Sequence, residues 1–166
     1  MKPRLVGVDS GVTMFLVEAR PADKDRIRRW AQVLDTVRAL QDDGSEFIVP
    51  APVISELHAG GEGQIADRLV RSSHHIRIEA FDDPAAVLAG KMTSIALKTR
   101  APGTRAVVKF DAMILATAIE CGCDTMLTTD PKDFGGHLNA LVTLNIDHSI
   151  RVVDATSPVG QLAFIG

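Results

Sequence analysis

Four carboxylates are spaced along the chain so that each borders or enters an apolar segment. Asp9 follows LVGV, Glu56 lies within PVISELHAG, Asp111 precedes MILATAI, and Asp130 follows TMLTT. Charge in such surroundings is costly to bury unless something positive shares the site. Carboxylates without neighbouring His or Cys favour hard, oxygen-seeking cations such as Mg²⁺ or Mn²⁺. A divalent ion also relieves the repulsion that would otherwise make clustered acids hold protons.

The stretch from Phe110 to Phe134 contains two of these acids. Asp111 is expected at the head of an almost wholly apolar helix, one that must be covered on most of its faces. Asp130 is expected in the turn after the short strand fed by that helix, with Asp133 close behind. Taken singly, each acid has an ordinary alternative. Asp111 suits a helix cap and Asp130 a turn, Asp9 or Ser10 suits the cap of the next helix, and Glu56 suits a surface ion pair.

The elements that must position these residues follow from periodicity and breakers. Leu5 to Leu16 reads as strand, turn and helix. Ile27, Trp30, Ala31, Leu34, Val37 and Leu40 recur at helical spacing, with Arg26, Arg28, Arg29 and Arg38 among them. Glu46 to Val49 reads as a strand. PAPVISELHAG reads as a helix started after Pro52 and stopped by Gly60 and Gly61. Ile65 to Val70 continues as a short helix, and Ile76, Ile78 and Ala80 alternate as a strand.

Asp82 to Lys98 predicts a helix capped by Asp82 or Asp83, with Pro84 in its first turn. The basic run KTRAPGTRAVVK is read as a loop, in which Arg100, Arg105 and Lys109 are candidates for holding a phosphate backbone; a solvated loop is the ordinary alternative. Gly135 and Gly136 open a further loop through His137 and Asn139. Arg151 to Val153 is a last short strand, and the tail from Pro158 packs on the surface or on a partner. Strands alternating with helices predict an α/β sandwich with a mainly parallel sheet. Right-handed crossovers then bring the four acids towards one edge of the sheet.

Composition narrows the classes. The 166 residues are 46% hydrophobic, enough for one domain with a substantial core, spanning 1–166. No apolar run is long enough to span a membrane and no leader pattern opens the sequence, so a cytoplasmic protein without a membrane partner is expected. The net charge of −3 argues weakly against an acidic partner, but not if the acids hold metal. The absence of Tyr and the single Trp exclude a broad stacking platform for single strands. Cys121 and Cys123 lack the companions of a zinc cluster or disulfide framework and are read as two buried free thiols. His58 is expected to point away from Glu56, and the GGEG run, which lacks the Lys and Ser/Thr of a phosphate loop, is read as a turn.

The motifs VDSGVTMFL, PVISELHAG, FDAMILATA and LTTDPKDF, in that order, resemble those of the PIN-domain ribonucleases, in particular the VapC-like toxins of type II toxin–antitoxin systems. The resemblance covers nearly the whole chain and rests on four short motifs taken together. It implies a three-layer α/β/α sandwich around a mainly parallel sheet and endonucleolytic cleavage of RNA with Mg²⁺ or Mn²⁺. Carried over residue by residue, it makes Asp9, Asp111 and Asp130 metal-holding acids and lets Glu56 complete the shell or position the water. Asp133 becomes an accessory acid, and Ser10 and Thr129 become small hydroxyl residues lining the site. It further implies a cognate antitoxin and a homodimer, with the apolar faces Met14 to Val17 and Trp30 to Val37 as candidate antitoxin contacts. The chain departs from the small toxins in its long segment from Glu18 to Phe47, in the basic run from Thr99 to Lys109, and in Gly11, where a larger residue is common. Two other readings stand beside this one: a PIN-like RNA- or protein-binding module without catalysis, and another metal-dependent phosphohydrolase on a doubly wound sheet.

Overall fold

The computed structural model describes residues 3–72, 76–98, 105–158 and 164–165. Among them the order is β1 (Leu5–Val8), α1 (Ser10–Val17), α2 (Lys24–Asp42), β2 (Glu46–Pro50), α3 (Ala51–Ala59), α4 (Gly63–Ser72), β3 (Ile76–Glu79), α5 (Asp83–Ala96), α6 (Arg105–Glu120), β4 (Thr125–Thr128), α7 (Lys132–Thr143), β5 (Arg151–Asp154) and β6 (Phe164–Ile165). The strands form one sheet in the order β3-β2-β1-β4-β5-β6. The first five are mutually parallel, and β6 closes the β5 edge antiparallel, with Val153 opposite Phe164. Helices flank the sheet in two packed groups, α1 to α4 and α5 to α7, giving the expected three-layer α/β/α sandwich.

Every residue of the central strands β1 and β4 is buried, as parallel strands covered on both faces require. Gly7 permits the closest of these contacts. A Cβ there would lie 2.8 Å from Met126 Sδ and 3.0 Å from Ala118 Cβ, so its absence lets α6 settle onto β1. The starts of α2 and α5 are fixed by side-chain caps: Asp23 accepts from Arg26 N–H at 2.9 Å, and Asp82 accepts from Ala85 N–H at 3.1 Å.

Two sequence expectations are corrected. Asp111 does not head its helix, because α6 already runs from Arg105 and takes in Arg105 to Lys109, read from sequence as loop. The buried face continues backwards from Leu115 and Ala112 to Val108 at i, i+4, i+7 spacing, which overrides the basic residues on either side. The segment after Phe134 is likewise helix rather than loop. In α7, Phe134, His137 and Leu141 are buried at i, i+3, i+7, and that burial outweighs the penalty of Gly135 and Gly136.

Cys121 and Cys123 are free thiols with Sγ atoms 3.9 Å apart; Cys123 is buried, whereas Cys121 is only partly so. The hydrogen bond between them pulls the Cys121 thiol below its ordinary pKa and, with burial, pushes that of Cys123 up. His58 turns to Asp67 at 3.2 Å rather than towards Glu56. No helix among the described residues is long and apolar enough to cross a membrane.

Candidate active site

Strand order reverses between β1 and β4: from β1 the chain proceeds to β2 on one side, and it later returns to place β4 on the other. In a parallel sheet the crevice beyond the carboxyl ends of two such strands is where ligands gather. Asp9 is the first residue after β1, and Thr129 and Asp130 are the first two after β4. The two segments are joined by the backbone, Asp9 N–H donating to the Leu127 carbonyl at 3.1 Å.

Asp9 caps α1, its carboxylate accepting from Val12 N–H at 2.7 Å. Capping and membership of the acid site are therefore compatible. The same carboxyl accepts from the Thr128 hydroxyl and the Thr129 N–H. These bonds favour the anion, yet burial outweighs them and, with a smaller contribution from Glu56, raises the Asp9 pKa from 3.8 to about 6.

Glu56 stands half-buried on α3, near enough to Asp9 to repel it electrostatically, and its carboxylate accepts a hydrogen bond from the Ser10 hydroxyl. Ser10 thus ties the first turn of α1 to α3. Gly11 makes room on the other side, since a Cβ there would stand 2.2 Å from Thr129 Oγ1. A larger residue at this position would force the Thr129 side chain to move.

Asp130 is exposed. Its N–H donates to the Thr128 hydroxyl at 3.0 Å and its carboxylate accepts from Lys132 N–H at 3.2 Å. Asp133 lies in the first turn of α7, half-buried, and its N–H donates to the Asp130 carbonyl at 3.2 Å, so its backbone supports the turn. Asp111 lies within α6, which packs against α3, and has a buried carboxylate oxygen.

The structure therefore joins Asp9, Ser10, Glu56, Thr128 and Thr129 directly. Asp130 is held one residue beyond Thr129, and Asp111 is on a helix touching that of Glu56. Among the described residues no three Asp, Glu, His or Cys side chains are grouped closely enough to hold a metal ion. The donors are nonetheless all oxygen, and a buried Asp9 beside a second carboxylate is an anionic pair that a hard cation would relieve.

Of the basic candidates, Lys109 is exposed and lines a groove with Phe81, Leu97 and Met113. Arg100 and the side chain of Arg105 lie outside the described residues. Sequence reasoning passed over Thr128, whose hydroxyl serves both Asp9 and Asp130, and Arg29. The Arg29 guanidinium donates to the Thr129 carbonyl at 3.4 Å and lies 5.9 Å from the centre of the Phe15 ring. Alternation along TMLTTD did not distinguish Thr128 from its neighbours, and Arg29 is one of three arginines in four residues of α2.

No protein-family model matches the sequence, and no curated protein matches it significantly. Among solved structures, a chain of VapBC2 from Rickettsia felis, bound to a DNA fragment from its promoter, is similar with a TM-score of 0.52. The similarity covers 78% of this chain and 90% of that one at 17% identity. A chain of FitAB bound to an IR36 DNA fragment gives a TM-score of 0.50 at 18% identity, covering 80% of this chain and 90% of that one. The fold is PIN-like. In this PIN-like fold Asp9 and Asp130 both lie just beyond the strand ends where the strand order reverses.

Proposed function

We propose that this chain is a metal-dependent endoribonuclease hydrolysing RNA phosphodiester bonds, and the toxin of a toxin–antitoxin pair. The observation that carries the reading is the buried Asp9 at the end of β1, beside Glu56 and joined through Thr128 and Thr129 to the turn bearing Asp130. The PIN-like fold and its likeness to chains of VapBC2 and FitAB support the toxin reading and a cognate antitoxin partner.

In this reading Asp9, Asp111 and Asp130 hold Mg²⁺ or Mn²⁺, with Asp133 as a further acid behind the turn. A bound ion supplies Lewis acidity, making water a better nucleophile and easing departure of the leaving oxygen. Glu56 directs the water and accepts its proton, and Ser10, bonded to its carboxylate, fixes the direction in which Glu56 points. Thr128 and Thr129 hold the Asp9 carboxyl in one orientation.

Purified protein given a single-stranded RNA and Mn²⁺ is expected to cleave it, and Asp9→Asn or Asp111→Asn is expected to abolish cleavage while the circular dichroism spectrum is retained. Full activity in both variants would sink the reading. The wide spacing of the acids favours, as a second reading, a PIN-like binding module without catalysis. Absence of Mn²⁺ uptake by calorimetry would favour the binding module. Turnover of small phosphate esters without RNA cleavage would instead mark another metal-dependent phosphohydrolase.

A further inference from the structure

We propose that Arg29, carried by α2, binds a backbone phosphate of the nucleic-acid strand and holds it beside Asp130. The inference rests on the nuclease reading above and adds the residue that secures the substrate.

An acid-lined crevice repels a phosphodiester before any chemistry begins, so the site needs a fixed cation at its rim. Arg29 is exposed at the end of α2 nearest the site. Val33 and Val37 form the buried side of that helix, and Arg29 stands one turn before Val33 on the same stripe. Arg29 passes the Phe15 ring of α1 and reaches the carbonyl of Thr129 across the fold.

Like Arg28 beside it, Arg29 has no carboxylate partner among the described residues, but it alone of the two reaches the turn of the site. Arg4 is paired with Asp124 at 2.8 Å, Arg26 with Glu18 at 3.0 Å, and Arg38 with Asp35 at 3.9 Å. Arg29 meets a carbonyl oxygen and an aromatic ring, and among the described residues no carboxylate lies within 4.0 Å of its guanidinium. A carbonyl and a ring orient the guanidinium without neutralising it. One of its five N–H donors is engaged and the residue is exposed, so a planar fork suited to two phosphate oxygens stands ready next to the turn that carries Asp130. Lysine would bring the charge without the fork.

The test uses the full chain, a fluorescein-labelled single-stranded RNA oligonucleotide, Ca²⁺ for binding by anisotropy and Mn²⁺ for cleavage. Arg29→Gln is expected to weaken binding about tenfold and to raise KM alike, leaving kcat within about twofold. The slope of log Kd against log salt should become shallower by about 0.7, the change due to one lost phosphate contact with a single strand. Arg29→Lys should restore the slope but only part of the affinity, and Arg38→Gln should match the wild type. If the wild type cleaves while Arg29→Gln keeps its affinity and salt slope, the inference about Arg29 falls and the nuclease reading stands. Affinity lost with an unchanged slope makes Arg29 a support for the turn and overturns the inference too. A wild type that neither binds nor cleaves removes the nuclease reading, and this inference with it.

Discussion

The carboxyl of Asp9 is held by Val12, Thr128 and Thr129, all of which favour its ionised form, yet its pKa rises from 3.8 to about 6 because burial outweighs them. This has a consequence for stability. A carboxyl whose pKa is higher in the folded chain contributes stability below the unfolded value, and that contribution is lost as pH rises through the folded value. Without metal, ionised Asp9 therefore costs on the order of 2–3 kcal/mol above about pH 6. Asp9→Asn removes the charge and keeps an acceptor for Val12. In EDTA it should be more stable than the wild type at pH 8, by about 1–2 kcal/mol after the loss of one hydrogen bond. The difference should shrink as pH falls from 6 to 4. Urea unfolding across that range checks this, and a constant difference would show that burial of the charge is not the cause.

At the scale of elements, two glycines have opposite expected effects. Gly11 lets the first turn of α1 approach the β4–α7 turn, and a Cβ would meet Thr129 Oγ1 at 2.2 Å. Gly11→Ala should destabilise by about 1–3 kcal/mol and lower cleavage, because the displaced Thr129 side chain adjoins Asp130. Adding Thr129→Ser, which removes the γ-methyl and frees the hydroxyl to rotate, should recover part of the loss. Gly135 lies inside α7 with nothing within 4 Å of a built Cβ, so Gly135→Ala should stabilise by about 0.5–1 kcal/mol. Thermal unfolding of the pair distinguishes a close approach the fold requires from a glycine it merely tolerates. α7 also shows why sequence reading failed locally. Adjacent glycines signal a break, and only the core beneath Phe134, His137 and Leu141 supplies the burial that carries the helix across them.

For the whole molecule, the acids lie far apart in sequence, after β1, on α3 and α6 and in the β4–α7 turn, so a cation bound between them would stabilise the folded state alone. Mn²⁺ at a hundred times its Kd should raise stability by about 2.7 kcal/mol and the melting temperature by about 5–10 °C. Asp9→Asn and Asp130→Asn should lose most of that rise. Equal shifts in wild type and variants would place the bound ion elsewhere.

The sequence by itself determined the alternation of strands and helices, the parallel sheet, and the placement of Asp9 and Asp130 at strand ends. Buried parallel strands read as short apolar runs, and a polar residue must stop them where they reach solvent. It also marked Glu56 as an acid out of place on an apolar helix. Only the tertiary structure decided that Asp111 lies within α6 rather than at its head, because the extent of a helix follows from what its face is packed against. The bond from Ser10 to Glu56, the two bonds made by the Thr128 hydroxyl and the reach of Arg29 to Thr129 likewise belong to the fold alone. Each joins residues through strand order or through the direction a side chain takes, and neither is encoded in local spacing.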